Sequence, residues 1–506
     1  VAVSTATSHA TEHRRDGTIR SLIPARIDRL SWSTFHTRMI VALGVAWILD
    51  GLEITVASNV GPFLEQRDTL HLSARAVGDI ASVYLIGEVI GALVFGRLSD
   101  RLGRRNLFMV TLGVYLVGSA LTALTFGHGI GWVSYLYATR IIAGMGIGGE
   151  YAAINSAIDE MLPARYRGRV DIGVNGTYWA GAFIGTLATY FLLNNITPGD
   201  AWRVAFVVGP ALALVILFVR RNLPESPRWL LMHGRVDEAE AATRRIEEAA
   251  GQIDAPVDED AALEIAPTQD TGMFALARVL FRDYPARSVL GASLMITQSF
   301  LYNAIFFTLT LILSNVYGVP STRVSLYFLA FCAGNLLGPL TIGRLFDSWG
   351  RKRMIAGTYL LSGAMLLVTA FFFKAGLLDA LTQTIAYAVI FFFASAGASA
   401  AYLTVSEIFP VEVRAKAIAV FFAIAQCFGA LGPSVYGSLI GSHAKLFVGF
   451  VIGAVVMMIG GAVEIFLGIA AEGRSLEDVA RPLSLVRKAA SAVTPKRTGV
   501  RTSGSA

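Results

Sequence analysis

Ionisable residues stand deep inside apolar runs: Asp50 and Glu53 in one, Glu88 in a second and Arg140 in a third, with Glu464 in the last run less telling. A charge at the centre of a bilayer costs at least about 2.5 kcal/mol on insertion scales, so a residue of this kind is kept for a task. Asp50 and Glu53 are three positions apart and share a helix face. At 1.5 Å per residue, Glu53 lies about 15 Å and Arg140 about 12 Å from the outer ends of their runs. The two depths match, and an ion pair is expected. A carboxylate beside a guanidinium stays ionised; drawn away from it, the same carboxylate takes up a proton. Asp50, Glu53, Arg140 and Glu88 are therefore the expected proton-coupling set. The plain alternative is a fixed buried bridge that only sets packing.

The elements that must position these groups follow from composition. The chain has 506 residues, 54% hydrophobic and 15% charged, with mean hydropathy +0.59; soluble domains carry about 25% charged residues. A spanning helix needs roughly 20 mostly apolar residues. Twelve segments qualify: 37–63, 77–97, 106–127, 132–157, 170–193, 202–219, 288–314, 323–345, 354–373, 382–405, 415–440 and 446–470. The expected organisation is a tail over 1–36, a six-helix bundle over 37–219, a polar loop over 220–287, a second bundle over 288–470 and a polar tail over 471–506. Within the loop, 235–250 reads as a surface helix and 251–272 as a flexible linker. The first 36 residues lack an apolar core, so no cleaved signal peptide is expected and the first span directs insertion.

Orientation is read from Lys and Arg. With the amino terminus inside, the short inner loops hold roughly twice as many of them as the outer loops, among them Arg97, Arg101, Arg165, Arg169, Arg344 and Lys352. Both termini are expected in the cytosol, in a plasma (inner) membrane. The net charge of +6 then belongs to the inner leaflet, with membrane lipid as its partner and not nucleic acid.

Two motifs recur. Gly96, Asp100, Gly103, Arg104 and Arg105 reappear in pattern as Gly343, Asp347, Gly350, Arg351 and Lys352; Glu160-Met-Leu-Pro and Arg167 reappear as Glu407-Ile-Phe-Pro and Arg414. Gly96 to Gly343 and Glu160 to Glu407 span the same 247 positions. The chain is thus two homologous halves, and the solute cavity is expected where they meet, near mid-membrane. The glycines permit tight turns, the Asp residues bond a helix N-terminus or a motif Arg, and Glu160 with Arg167 and Glu407 with Arg414 are placed to bridge. With Glu150, these residues form the expected cytoplasmic gate.

These motifs, together with Arg140-Ile-Ile-Ala-Gly-Met-Gly146, resemble the major facilitator superfamily over about 37–480. Leu223-Pro-Glu-Ser-Pro-Arg-Trp-Leu230, Val405-Ser-Glu-Ile-Phe-Pro410 and Glu472-Gly-Arg-Ser-Leu-Glu-Asp478 are similar to the sugar porters and related metabolite:proton symporters. The resemblance implies an all-α membrane protein of twelve transmembrane helices in two pseudo-symmetric halves. It also implies cavity residues from spans one, five, seven, eight, ten and eleven: Asn59, Tyr178, Gln298, Tyr302, Asn303, Asn335, Tyr402 and Gln426 are the candidates. The sugar-porter amide pattern is thinned. Span five reads Asn175-Gly-Thr177 and span ten Ala398-Ser399 with Tyr402, while Leu49-Asp-Gly-Leu-Glu53 is similar to an Asp-Gly-x-Asp signature of aromatic-acid and metabolite symporters.

No Gly-x-x-x-x-Gly-Lys-Ser/Thr loop occurs, which argues against ATP as the driving force. No His/Cys cluster has metal spacing, and no nucleophile elbow is present; neither a cofactor nor an enzyme is expected. The expected activity is secondary transport by a monomer: symport of a proton with a small organic solute, an organic acid ahead of a sugar, with Arg140 offering a carboxylate partner. A sugar:proton symporter, a drug antiporter and a non-transporting nutrient sensor are the alternatives.

Overall fold

Long apolar stretches in lipid have no water to bond their backbones, so each closes its own hydrogen bonds as a helix. The computed structural model describes residues 12–13, 19–127, 129–220, 225–253, 262–265, 273–471 and 479–480. The stretch 472–478 and the side chains of Asp100, Arg104, Arg105 and Arg167 lie outside the described residues.

After two short strands, β1 (Glu12–His13) and β2 (Ile19–Ser21), comes the short helix α1 (Ile23–Arg29). The first half is α2 (Thr34–Leu64), α3 (Ala74–Ala123), α4 (Ile130–Met161), α5 (Ala164–Asn195) and α6 (Pro198–Arg220). Two small helices, α7 (Pro227–Met232) and α8 (Val236–Ala250), a third strand, β3 (Leu263–Ile265), and α9 (Met273–Arg278) follow. The second half is α10 (Pro285–Asn315), α11 (Ser321–Ser348), α12 (Arg351–Lys374), α13 (Ala380–Glu407), α14 (Val411–Gly429) running into α15 (Leu431–Leu439), and α16 (His443–Leu467). Counting α3 as two arms, Ala74–Leu98 and Asn106–Ala123, and α14 with α15 as one, this is the twelve-helix fold in two six-helix halves. Nine of the described segments combine bilayer-crossing length with high hydropathy.

The break between the arms of α3 sits at Gly103, with φ +79°. Gly350, at the equivalent place in the second half, has φ +99° and opens α12. Both lie in the left-handed region, where a side chain is strained; the repeat thus conserves a backbone turn as well as charges. Helices then approach closely across glycine. A Cβ at Gly148 of α4 would stand 2.0 Å from the carbonyl oxygen of Glu88 on α3, which fixes the height of that carboxylate. Gly148→Val is expected to abolish the folded, monodisperse protein, while Gly113→Ala, with nothing within 4 Å, leaves yield and melting temperature unchanged; size-exclusion profiles check both.

Outside the bundle the structure departs from the expectation of a featureless tail and linker. β1, β2 and β3 form a three-stranded antiparallel sheet, with Ile19 opposite Ile265 and Arg20 opposite Glu264. Residues 251–272, read as a linker, thus contribute a strand. Ile19, Ile23 and Ile27 recur every four positions and are buried against Trp229, Leu230, Leu231 and Ala239. That apolar stripe supplies the driving force that the tail's polar composition conceals.

Candidate functional site

A cavity of about 150 Å³ lies between the halves. Eight of its lining residues are aromatic: Trp47 from α2, Tyr178 and Trp179 from α5, Tyr302, Phe306 and Phe307 from α10, Tyr402 from α13 and Phe422 from α14. The rings are mutually braced. Trp47 meets Tyr178 edge-on at 6.4 Å, Tyr178 meets Trp179 at 5.1 Å, and Trp179 meets Phe306 at 5.8 Å and Tyr302 at 5.9 Å.

Polar groups enter in one connected set. Ser299 Oγ donates to Gln426 Oε1 at 2.5 Å, and Asn303 Nδ2 donates to the same oxygen at 3.2 Å and to Ser299 Oγ at 3.1 Å. With its oxygen so occupied, the Gln426 amide turns its nitrogen to Glu88 and donates to Glu88 Oε2. Glu88 belongs to α3 in the first half and Gln426 to α14 in the second, so the bond crosses between the halves. Gln298 Nε2 donates to the Tyr402 hydroxyl at 2.7 Å. Glu88 is the sole ionisable acid among the described lining residues, and no Lys, Arg or His is among them.

Of the sequence candidates, Tyr178, Gln298, Tyr302, Asn303, Tyr402, Gln426 and Glu88 line this cavity. Asn59 and Asn335 stand outside the lining set. Asn59 Nδ2 donates to the Thr55 carbonyl at 3.1 Å and to Thr186 Oγ1 at 3.2 Å, tying α2 to α5. Asn335 accepts from the Tyr302 hydroxyl at 3.0 Å and so braces a wall residue from behind. Ser299, Ser395, Phe306 and Phe307 are wall residues that sequence reasoning missed; Ser299 had a usable signal, lying four positions before Asn303 on one helix face.

Arg140 does not line the cavity; it is fully buried behind it. Its Nη1 is 3.6 Å from Glu53 Oε1, and its guanidinium lies over the Tyr84 ring at 4.4 Å and the Phe206 ring at 5.1 Å. It therefore cannot meet a solute carboxylate directly in this arrangement. Ser119 Oγ donates to Glu53 Oε1 at 2.6 Å. A Cβ at Gly209 of α6 would stand 2.1 Å from Glu53 Oε2, so α6 closes the pocket around the pair. Asp50 is buried one turn earlier on the same helix.

The halves touch on both sides of the cavity. Toward the end away from the glycine-and-charge loops, Ser58 Oγ donates to the Phe306 carbonyl at 2.7 Å and Ser82 Oγ to the Ala430 carbonyl at 2.6 Å. Ser434 Oγ donates to Asp79 Oδ1 at 2.7 Å. Toward the loop-motif end, a Cβ at Gly96 would stand 2.8 Å from the Ala419 Cβ. At that end Arg351 Nη1 donates to Glu407 Oε2, and Asp347 lies 3.9 Å from Arg351. The expected partner of Glu407 was Arg414; the structure gives it Arg351, which joins the two motifs of that half, and Arg414 Nη2 donates to the Phe409 carbonyl at 3.2 Å. The reason is position: Arg351 opens α12 beside the end of α13. Glu150 and Glu160 are buried, and Glu225 covers Gly103, its Oε2 2.4 Å from where a Cβ would stand.

The profile of the sugar (and other) transporter family matches residues 40–483. The chain belongs to that family. It is a multi-pass membrane transporter, not an enzyme. It is 26% identical over 457 residues to the niacin transporter NiaP of Acinetobacter baylyi, covering 90% of this chain and 99% of that one. The proton:xylose symporter XylE bound to 6-bromo-6-deoxy-D-glucose shares the fold, with a TM-score of 0.75 at 20% identity over 88% of this chain and 98% of that one. The inward-open form of the xylose transporter XylE from E. coli overlaps less well, with a TM-score of 0.63 at 20% identity over the same shares of the two chains.

Proposed function

We propose that this transporter carries a small ring-bearing organic metabolite together with a proton, by alternating access through the central cavity. The observation that carries the reading is the Glu88–Gln426 bond: a titratable carboxyl in the cavity wall, held across the two halves by an amide that the solute-facing polar set orients. Rocking the halves apart parts this bond, so proton binding and cavity opening are linked. An aromatic wall favours a flat ring that can stack edge-on or offset. Protonated Glu88 and the amides of Gln298 and Asn303 are then the donors available to an organic acid, the work first assigned to Arg140. NiaP, a niacin transporter, is consistent with a ring acid. In this reading the loop-motif end and both termini face the cytosol of a cell whose inner membrane holds the protein, anionic lipid meets the basic loops, and one chain is the working unit. Asp50, Glu53 and Arg140 serve the proton path; Gly96, Asp100, Gly103, Arg104, Arg105, Glu150, Glu160, Arg167, Asp347, Gly350, Arg351, Glu407 and Arg414 serve the cytosolic gate.

Uptake into liposomes tests this, with radiolabelled nicotinate, benzoate and xylose offered with and without an inward proton gradient. Accumulation of a ring acid that needs the gradient is the expected result. Gradient-driven accumulation of xylose alone would transfer the reading to sugar symport, and binding without transport of any solute would favour a sensor.

A further inference from the structure

The side of the molecule away from the loop motifs is closed by more than the hydroxyls beside the cavity. α2 stops at Leu64, and the turn after it is drawn tight on its own backbone. The Gln66 carbonyl accepts from the N–H groups of Thr69 at 3.2 Å and His71 at 3.1 Å and from the Thr69 hydroxyl at 3.0 Å, and the Leu72 N–H reaches back to the Leu64 carbonyl at 2.9 Å. His71, alone among the described non-glycine residues, takes a left-handed φ, +52°. Such a conformation persists in a residue with a side chain only where its surroundings impose it.

From this fixed turn two side chains cross to the second half. Gln66 Nε2 donates to Ser321 Oγ at the start of α11 at 2.7 Å, and Glu65 Oε2 accepts from Asn315 Nδ2 at the end of α10 at 3.1 Å. The Asn315 nitrogen also donates to the Leu311 carbonyl at 3.1 Å, which fixes how the amide is presented. Asn194, near the end of α5, donates to the Thr322 carbonyl at 3.3 Å. Two helix ends of the first half thus grip one short segment of the second, 315–322.

We infer that residues 65–72 are an acid-tightened clasp: Glu65 and Gln66 hold the second half's 315–321 segment while the outer side is closed, and a proton from outside that settles on Glu65 prolongs the closure. The inference rests on the alternating-access reading and orientation above, and adds a proton that regulates the cycle without being carried through it. Among the side chains that make these crossing bonds, only Glu65 titrates. Burial pushes its carboxyl above the ordinary range, and the Asn315 bond opposes that push without cancelling it. Arg67, Asp68 and His71 share its turn, and Tyr317 and Arg323 lie on or beside the segment it holds. None of them pairs with it among the described residues, and the Tyr317 hydroxyl donates to Gln383 instead, at 3.2 Å. When the halves part at this end, water reaches the carboxyl and its ordinary acidity returns. The closed side therefore binds this proton more tightly than the open side, and lowering the pH toward the carboxylate range favours closure. A turn that only packs would show the same bonds, but closure would not follow the outside pH.

Spin labels separate the two. In a chain with Cys332→Ser and Cys427→Ser, Ile130→Cys at the start of α4 and Leu377→Cys just past α12 carry labels at the outer ends of opposite halves; both positions are exposed and lie outside the clasp. Glu88→Gln removes the cavity carboxyl, and no solute is added, so the outcome does not depend on whether symport is correct. Pulsed electron–electron distance measurements in lipid nanodiscs count the short, closed population and the long, open one, and the distances themselves report a folded protein. Between about pH 7 and pH 5 the closed-to-open ratio is expected to rise at least about twofold. With Glu65→Gln added, the ratio is expected to be the same at both pH values. Asn315→Ala is expected to lower the closed fraction at both. A ratio that ignores pH while Glu65 is present, a rise that survives Glu65→Gln, or an unaltered closed fraction in Asn315→Ala would overturn the clasp.

Discussion

Glu88→Gln abolishes proton-driven accumulation while leaving solute exchange across the membrane near its original rate. A one-unit pH gradient is worth about 1.4 kcal/mol, which sets about tenfold accumulation for one proton per solute. The wild-type protein should approach that ratio, and Glu88→Gln should fall to equal concentrations inside and out. The substitution keeps the side-chain volume and leaves an oxygen to accept from Gln426, so the polar set of Ser299, Asn303 and Gln426 stays aligned. What it removes is titration. Counterflow, in which labelled solute exchanges with unlabelled solute and no gradient is applied, separates the two effects. Loss of both would mean that Glu88 is needed for solute binding and not for coupling alone. Normal accumulation would remove Glu88 from the proton path and leave Glu53 as the group to examine.

What the sequence disclosed and what it hid follow a physical line. Lipid imposes long apolar runs, so the spans were legible, and the 247-residue repeat carried enough backbone geometry for Gly103 and Gly350 to reappear as paired left-handed turns. The proximity of two buried charges was legible as well, because helix rise is constant; Glu53 and Arg140, read as level with each other, lie 3.6 Å apart. Azimuth was not. Asn59 and Asn335 are polar residues in spans like Asn303, yet they bond to their own helices and to Thr186 and Tyr302 on neighbouring ones, and do not line the cavity. In a bundle helix that is apolar all round, no stripe marks the inward face. Phe306 and Phe307 were invisible for the same reason, since a wall aromatic and a lipid-facing one have identical composition. The small sheet was hidden by distance: strands of three residues paired across some 240 positions leave no periodic signal.

Neutralising both members of the Glu53–Arg140 pair is expected to restore a fold that neutralising Arg140 alone destroys. Both side chains are fully buried, and removing one partner from such a pair leaves an uncompensated charge at a cost of about 3–5 kcal/mol. Arg140→Met should therefore cut the yield of folded protein sharply, since Glu53 then keeps only neutral hydroxyl neighbours such as Ser119 and the closed wall at Gly209. Arg140→Met with Glu53→Gln removes the stranded charge, keeps the Ser119 bond and retains apolar volume against Tyr84 and Phe206, the rings that now stack on the guanidinium. Melting temperature in detergent reads the first half of the prediction, with the double variant above the single one. Transport reads the second half. The pair is separated by 3.6 Å, outside direct hydrogen-bond distance, and its members come from α2 and α4, so a small shift of either helix changes how strongly the two groups interact. If that shift is how the state of the halves reaches the proton site, the double variant folds and exchanges solute but does not accumulate it. If instead the pair only sets packing, the double variant accumulates solute as well as the unaltered protein does, and Glu88 carries the coupling alone.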